Sequence, residues 1–189
     1  DADIYGPNVP RMMGVVDTHP EIVGQKVKPI VAYGVEMMSM GSLMESGQSL
    51  IWRGSMIMKA IEQLLRDILW SDLDVLFIDM PPGTGDVQLT MAQELPLSGV
   101  VLVTTPQKVA TDDVSRALVM FQDIKVPILG IVENMSYFIA PDTKKRYDIF
   151  GTGGAKLLCD EYGVSLLGQI PLDSKVINLC DEGKMAIAL

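Results

Sequence analysis

Short apolar runs alternate with amphipathic helical patterns along most of this chain, and that alternation limits the fold more than any other feature. Val75–Ile78, Gly99–Thr104, Ile128–Val132 and Val164–Ile170 are rich in β-branched residues and are bounded by Pro, Gly or polar side chains. Runs of this length and composition read as strands buried on both faces. Between them lie helical spacings. Ile57, Ile61, Leu64, Leu65 and Ile68 recur every three or four residues, with Lys59, Glu62, Arg66 and Asp67 on the other side. Val114, Ala117, Leu118, Phe121 and Ile124 form a second stripe, with Thr111 or Asp112 as the expected N-cap. Shorter helices are expected over Val9–Val15, Val87–Glu94, Gly154–Tyr162 and Ser174–Cys180. Strand–helix alternation predicts an α/β fold: a doubly wound, mostly parallel sheet with helices on both faces.

Two segments depart from that rhythm. Pro29–Tyr33 and Val35–Met40 read as two short strands joined at Tyr33-Gly34, a hairpin. Asp17–Gly24, Glu45–Ser49 and Tyr137–Phe150 read as loops. His19, the only histidine, precedes Pro20 in the first of these and reads as a surface residue.

Composition narrows the function. With 189 residues and 48% hydrophobic content, the chain can bury the core of one ordinary domain. A formal charge of −9 opposes non-specific nucleic-acid binding, which needs clustered Lys and Arg. The one basic cluster, Lys144-Lys145-Arg146, reads as a solvated turn. No apolar run approaches the roughly 18–20 residues that span a bilayer, and the opening residues Asp1-Ala2-Asp3 are acidic where a signal peptide is basic. Cys159 and Cys180 lie in separate predicted helices without metal-ligand spacing, as in core cysteines of a reducing compartment. The expectation is a cytoplasmic protein with neither membrane nor nucleic-acid partners. The chain also lacks an initiator Met and opens within a motif, so it is expected to be a fragment preceded by a further segment.

The strand ends carry the chemistry. Asp79 follows Val75–Ile78 and is itself followed by Pro81-Pro82-Gly83-Thr84-Gly85-Asp86. A carboxylate at the C-terminal end of a parallel strand sits where open α/β sheets bind ligands, and glycines beyond it let backbone N–H groups approach a phosphate. The same residues also fit a solvated Asp beside a tight turn. Asp1 and Asp3 stand at alternate positions in a Gly- and Pro-rich loop, and Asn134 follows the strand Ile128–Val132. Two or three carboxylates with few basic neighbours suit Mg²⁺, an oxygen-seeking ion that keeps several waters. An amide that both donates and accepts suits a nucleobase edge. Gly151-Thr152-Gly153-Gly154 lacks the Lys-Ser/Thr ending of a phosphate loop and reads as a helix start.

Asp1–Gly14, Ile51–Gly54, Asp79–Asp86, Thr105–Gln107, Gly130–Ser136, Asp148–Gly151 and Ile170–Asp173 run in order over essentially the whole chain. In these segments the sequence closely resembles the Mrp/ApbC-type iron–sulfur cluster carrier proteins, P-loop ATPases of the deviant Walker A (MinD- and NifH-like) class. The resemblance implies a P-loop NTPase fold over residues 1–189 as a single domain, with ATP and Mg²⁺ as ligands. It implies that Asp3 orients or activates the attacking water, with Asp1 near the Mg²⁺ and phosphates. Asp79 would be the Walker B carboxylate, reaching Mg²⁺ through water, and Gly83 would offer its N–H to the γ-phosphate. Asn134 would read the adenine, with Pro171 to Asp173 packed beside the base. The implied partners are a second copy, in a homodimer, and iron–sulfur apoproteins or assembly scaffold proteins.

Two departures accompany the resemblance. The phosphate loop belongs before Asp1, so the chain as given is not expected to hydrolyse ATP, although the parent protein is. The family's Cys-Pro-x-Cys aligns with Ala140-Pro141-Asp142-Thr143. Iron–sulfur clusters are held mainly by Cys thiolates, which neither Ala140 nor Thr143 supplies. An alternative is therefore a nucleotide-switched positioning ATPase of the MinD/ParA kind that holds no cluster.

Overall fold

The computed structural model describes residues 1–3, 6–43 and 54–185. The expected loop Glu45–Ser49 and the segment Ile51–Arg53 lie outside the described residues. The chain divides into two compact units, Asp1–Pro82 with Ser174–Leu189, and Gly83–Asp173. The first unit holds α1 (Val9–Met12), β1 (Ile22–Val23), β2 (Lys26–Val27), β3 (Ile30–Ala32), β4 (Val35–Met37) and α2 (Gly54–Arg66). The second holds α3 (Asp86–Glu94), β5 (Val100–Thr104), α4 (Lys108–Asp123), β6 (Ile128–Glu133), β7 (Phe138–Ile139), β8 (Arg146–Tyr147), α5 (Gly154–Tyr162) and β9 (Leu166–Gln169). The chain then re-enters the first unit as α6 (Ser174–Asp181).

In the first unit, β3 and β4 pair antiparallel with Ile30 opposite Met37, as the sequence predicts. Tyr33 and Gly34 both have positive φ, 52° and 79°, the geometry of a two-residue hairpin turn whose twist matches the strands. Ile30, Met37, Met38, Met40, Ala60, Ile61, Leu64 and Ile68 are buried, so Ile61, Leu64 and Ile68 of the α2 stripe do face a core. β1 and β2 form a small antiparallel ribbon within and just beyond the segment read as a loop. The last helix closes on the first. A Cβ at Gly14 would lie 2.6 Å from the Gly183 carbonyl oxygen, so only glycine permits that approach.

One expected strand is absent. Val75–Ile78 joins no described ladder; the carbonyl of the adjacent Asp79 accepts the Ala2 N–H at 2.9 Å. Val75 and Phe77 are 65% and 87% exposed. An apolar run becomes a strand only where a neighbour accepts and donates its backbone hydrogen bonds in register, and this one enters none of the described sheets.

The second unit is built on a parallel sheet of order β5-β6-β9. Leu102 pairs with Ile131, and Thr104 with Glu133, along β5 and β6. α4 and α5 pack against these strands and against each other, burying Leu102, Leu118, Phe121, Ile131, Ala155 and Leu158. Strands joined by crossover helices make the α/β fold with flanking helices that the sequence predicts. α4 begins at Lys108 with Gln107 as N-cap, earlier than Thr111 or Asp112; Thr111 is buried in the first turns instead. The segment 137–150 is not wholly a loop, because β7 and β8 pair antiparallel within it. Strands of two residues leave no periodicity to read.

Candidate functional site

In the first unit, the opening residues are tied down by their own carboxylates. Asp1 accepts from the Asp3 N–H at 3.2 Å, the Val9 N–H at 3.3 Å and Ser39 Oγ at 2.9 Å. Ser39 is fully buried and in turn accepts the Gly41 N–H at 3.1 Å. The Asp1 main chain pairs on both sides, donating to the Met38 carbonyl and accepting from the Met40 N–H. Asp1 is thus the clamp of its loop, and it fixes the backbone of Asp3. Asp3 accepts the Gly6 N–H at 3.2 Å and is half-buried. The Ala2–Asp79 backbone bond brings Asp1 and Asp3 beside Asp79 along the chain. Asp79 is exposed. Among the described residues, no group of three or more His, Cys, Asp or Glu side chains converges as a metal cage. A nucleotide-bound Mg²⁺ needs only one or two carboxylates, its other positions going to water and phosphate, and the exposed Asp79 meets that need.

The second unit carries the other expected residues. Gly83 has φ +98° and is exposed, with Gln88 Nε2 at 4.0 Å from where a Cβ would stand. Asn134 and Pro171 are brought onto adjacent segments. Ile170 N–H donates to the Glu133 carbonyl at 2.8 Å, Ser136 N–H to the Ile170 carbonyl at 2.9 Å, and Leu172 N–H to the Tyr137 carbonyl at 2.7 Å. These bonds carry the β6–β9 pairing past the ends of both strands. The Asn134 N–H donates to the Thr104 carbonyl at 2.7 Å, tying the loop to β5 as well. Its Oδ1 accepts the Met135 N–H at 2.9 Å, which leaves the Nδ2 amine open for a donor contact. Asp173 is exposed one residue beyond Leu172.

Sequence reasoning missed the group that holds this loop. Glu133, the last residue of β6, is 1% exposed. Its Oε1 accepts from Ser136 Oγ at 2.5 Å and Gln169 Nε2 at 2.7 Å, and its Oε2 accepts the Ala155 N–H at 2.9 Å. Burial pushes its pKa up, but the hydrogen bonds from Ser136, Ala155 and Gln169, with the Arg146 charge, outweigh that and hold it below the usual carboxylate value. The visible signal was a Glu ending an apolar strand, with Ser136 three residues on.

The glycine run before α5 is structural, as expected. Gly153 caps the helix with φ +74°, and a Cβ at Gly154 would lie 2.3 Å from the Pro106 carbonyl oxygen.

The turn aligned with the cluster-binding motif is a closed hairpin end. Ala140 is 9% exposed; its N–H donates to the Lys145 carbonyl at 3.0 Å, and its carbonyl accepts the Lys144 N–H at 2.9 Å. Asp142 accepts the Thr143 N–H at 2.7 Å. Cys159 is buried in α5, where burial and the nearby Asp160 and Glu133 charges raise its pKa despite Lys156. A methyl, a hydroxyl and an engaged carboxylate do not fit a soft iron–sulfur cluster. No described helix is long and apolar enough to cross a membrane.

The family model described as ParA, NUBPL iron-transfer P-loop NTPase, matches residues 1–189. An iron–sulfur cluster carrier protein of Helicobacter pylori is 54% identical over 97% of this chain and 50% of its own length. That of Escherichia coli K12 is 47% identical over 97% of this chain and 50% of its own. An Arabidopsis thaliana iron–sulfur protein required for NADH dehydrogenase, mitochondrial, is 46% identical over 97% of this chain and 58% of its own. The chain therefore spans about half the length of the curated relatives it matches. Among solved structures, a nucleotide-binding protein from Archaeoglobus fulgidus in complex with ADP aligns with TM-score 0.86 and 34% identity, over 100% of this chain and 74% of that one. The fold, the motif order and these matches agree: the chain belongs to the ParA family, as a NUBPL-type iron-transfer P-loop NTPase.

Proposed function

We propose that the protein containing this chain is an ATP-binding, Mg²⁺-dependent ATPase that serves iron–sulfur protein maturation as a cytoplasmic homodimer. The observation that supports the nucleotide reading most is the run of backbone bonds from Glu133, Ser136 and Tyr137 to Ile170 and Leu172, which joins the segment of Asn134 to that of the exposed Pro171 and Asp173. In this reading residues 1–189 belong to one nucleotide-hydrolysing domain.

Each proposed role follows from the chemistry of the group and its place in the chain. Asn134 offers Nδ2 to a ring nitrogen of adenine, and Pro171 covers the base. Asp3, its backbone fixed by Asp1, orients the attacking water by accepting its proton in a hydrogen bond. Gly83 donates its N–H to a γ-phosphate oxygen as negative charge develops there. Asp79 would hold Mg²⁺ through water, and the ion would supply neutralisation of phosphate charge. Asp1, with its carboxylate committed to three donors, acts by holding Asp3 rather than by direct ligation.

The iron–sulfur cluster is cargo in this account, and the 140–143 turn is not its seat. We assign the cluster to thiolates of an apoprotein or scaffold partner, with the ATPase gating transfer. The test is anaerobic incubation of the full-length protein with iron and sulfide, alongside ATP hydrolysis. Turnover without cluster absorbance is the expected result. Cluster absorbance would restore a direct carrier role, and loss of turnover would overturn the ATPase.

A further inference from the structure

We propose that Glu133 is the positioning residue of the nucleobase contact, setting the loop Asn134–Met135 through a buried carboxylate network; this rests on the nucleotide reading above. Glu133 immediately precedes Asn134, and Ser136 follows it by two. Both flanking side chains are locked to each other, Ser136 Oγ donating to Glu133 Oε1 at 2.5 Å. The other bonds reach across the fold. Gln169 Nε2 at 2.7 Å joins the end of β9, two residues before Pro171, and the Ala155 N–H at 2.9 Å joins the start of α5. One side chain therefore fixes the Asn134 loop, the Pro171 segment and the helix beneath them.

The loop needs such a hold. Met135 sits at φ +51°, a left-handed conformation that a non-glycine residue adopts only when its surroundings impose it. The strain places the Met135 N–H on Asn134 Oδ1, and this is what turns Nδ2 outward as the free donor. Releasing Ser136 or Gln169 lets Met135 relax toward negative φ, and the Asn134 amide loses its aim. A carboxylate suits the hub because it accepts several hydrogen bonds at once and, buried at 1% exposure, has no water to compete for them. A purely structural Glu133, capping α5 and nothing more, would lower stability when removed without touching nucleobase recognition.

The experiment compares ATP hydrolysis by the full-length protein with its inhibition by inorganic tripolyphosphate, which has no base. Glu133→Ala is expected to raise the ATP KM about tenfold, near the worth of one hydrogen bond to a charged group. kcat is expected to stay within about twofold, and the tripolyphosphate inhibition constant unchanged, because neither depends on where the base sits. Glu133→Gln keeps an oxygen for the Ala155 N–H and an NH2 that Ser136 Oγ can accept from, but sets a donor against Gln169 Nε2, and is expected to recover part of the KM. Ser136→Ala, which deletes a single bond, supplies a milder variant of about threefold if Glu133→Ala does not fold. Equal weakening of ATP and tripolyphosphate, or an unchanged KM with lowered stability, would overturn the positioning role. Asn134→Ala separates the two levels. If it leaves the ATP KM unchanged, the nucleobase reading itself falls; if it raises the KM and the Glu133 variants do not, only the positioning role falls.

Discussion

Glu133 Oε2 accepts the Ala155 N–H at 2.9 Å, joining the end of β6 to the first turn of α5 across 22 residues of chain. The first N–H groups of a helix have no partner within it, and their partial positive charge favours a carboxylate. Here that carboxylate is buried, and the same side chain also reaches the Asn134 loop.

Acid should therefore act through Glu133. Its folded pKa lies below the ordinary value of 4.5, so its stabilisation is complete above that value and is lost as pH falls through the folded pKa. The charged or titratable neighbours are Arg146 and Cys159. Thermal unfolding measured from neutral pH down to about pH 3 should show a steeper loss for wild type than for Glu133→Gln. Parallel curves would contradict this assignment.

Two positions on α4 should differ sharply. Leu118 is fully buried and Val109 is 71% exposed. Leu118→Ala should cost about 3 kcal/mol through lost burial and a cavity, and Val109→Ala should stay within about 0.5 kcal/mol. Urea midpoints at constant slope measure both.

Gly154 is fixed by proximity rather than by φ. A Cβ there would lie 2.3 Å from the Pro106 carbonyl oxygen, whereas at Gly168 it would meet nothing within 4 Å. Gly154→Ala should destabilise by about 2 kcal/mol or more as α5 is pushed off, and Gly168→Ala should be nearly neutral. Chemical denaturation of the two variants checks the contrast.

The thiols should react in order. Cys159 is 4% exposed with a raised pKa, and Cys180 is half-buried beside Met185. Iodoacetamide on the native protein, followed by mass spectrometry, should find Cys180 modified first. Early labelling of Cys159 would contradict the buried-thiol description.

What the sequence revealed depended on how local each signal was. The apolar runs Gly99–Thr104 and Ile128–Val132, the stripe along α2, and Tyr33-Gly34 are written in neighbouring residues, and the elements formed there to within a residue at the strand ends. Val75–Ile78 has the same composition, yet a strand also needs a partner, which composition does not report. α4 starts early because extended Gln107, just after Pro106, ends the preceding loop, a boundary that the Thr111 hydroxyl obscured. Glu133 escaped notice because its meaning lies in residues 22 and 36 positions away. The role of Asp1 within its own loop needed the Ser39 contact, 38 residues away, which no local pattern announces.

The most direct test of the account is equilibrium binding of Mg²⁺–ATP to the full-length protein, measured beside Asn134→Ala. The account predicts saturable binding in the ordinary micromolar-to-millimolar range of enzyme substrates, weakened about tenfold by the substitution. Absence of saturable binding, or equal affinity in the two proteins, would contradict it.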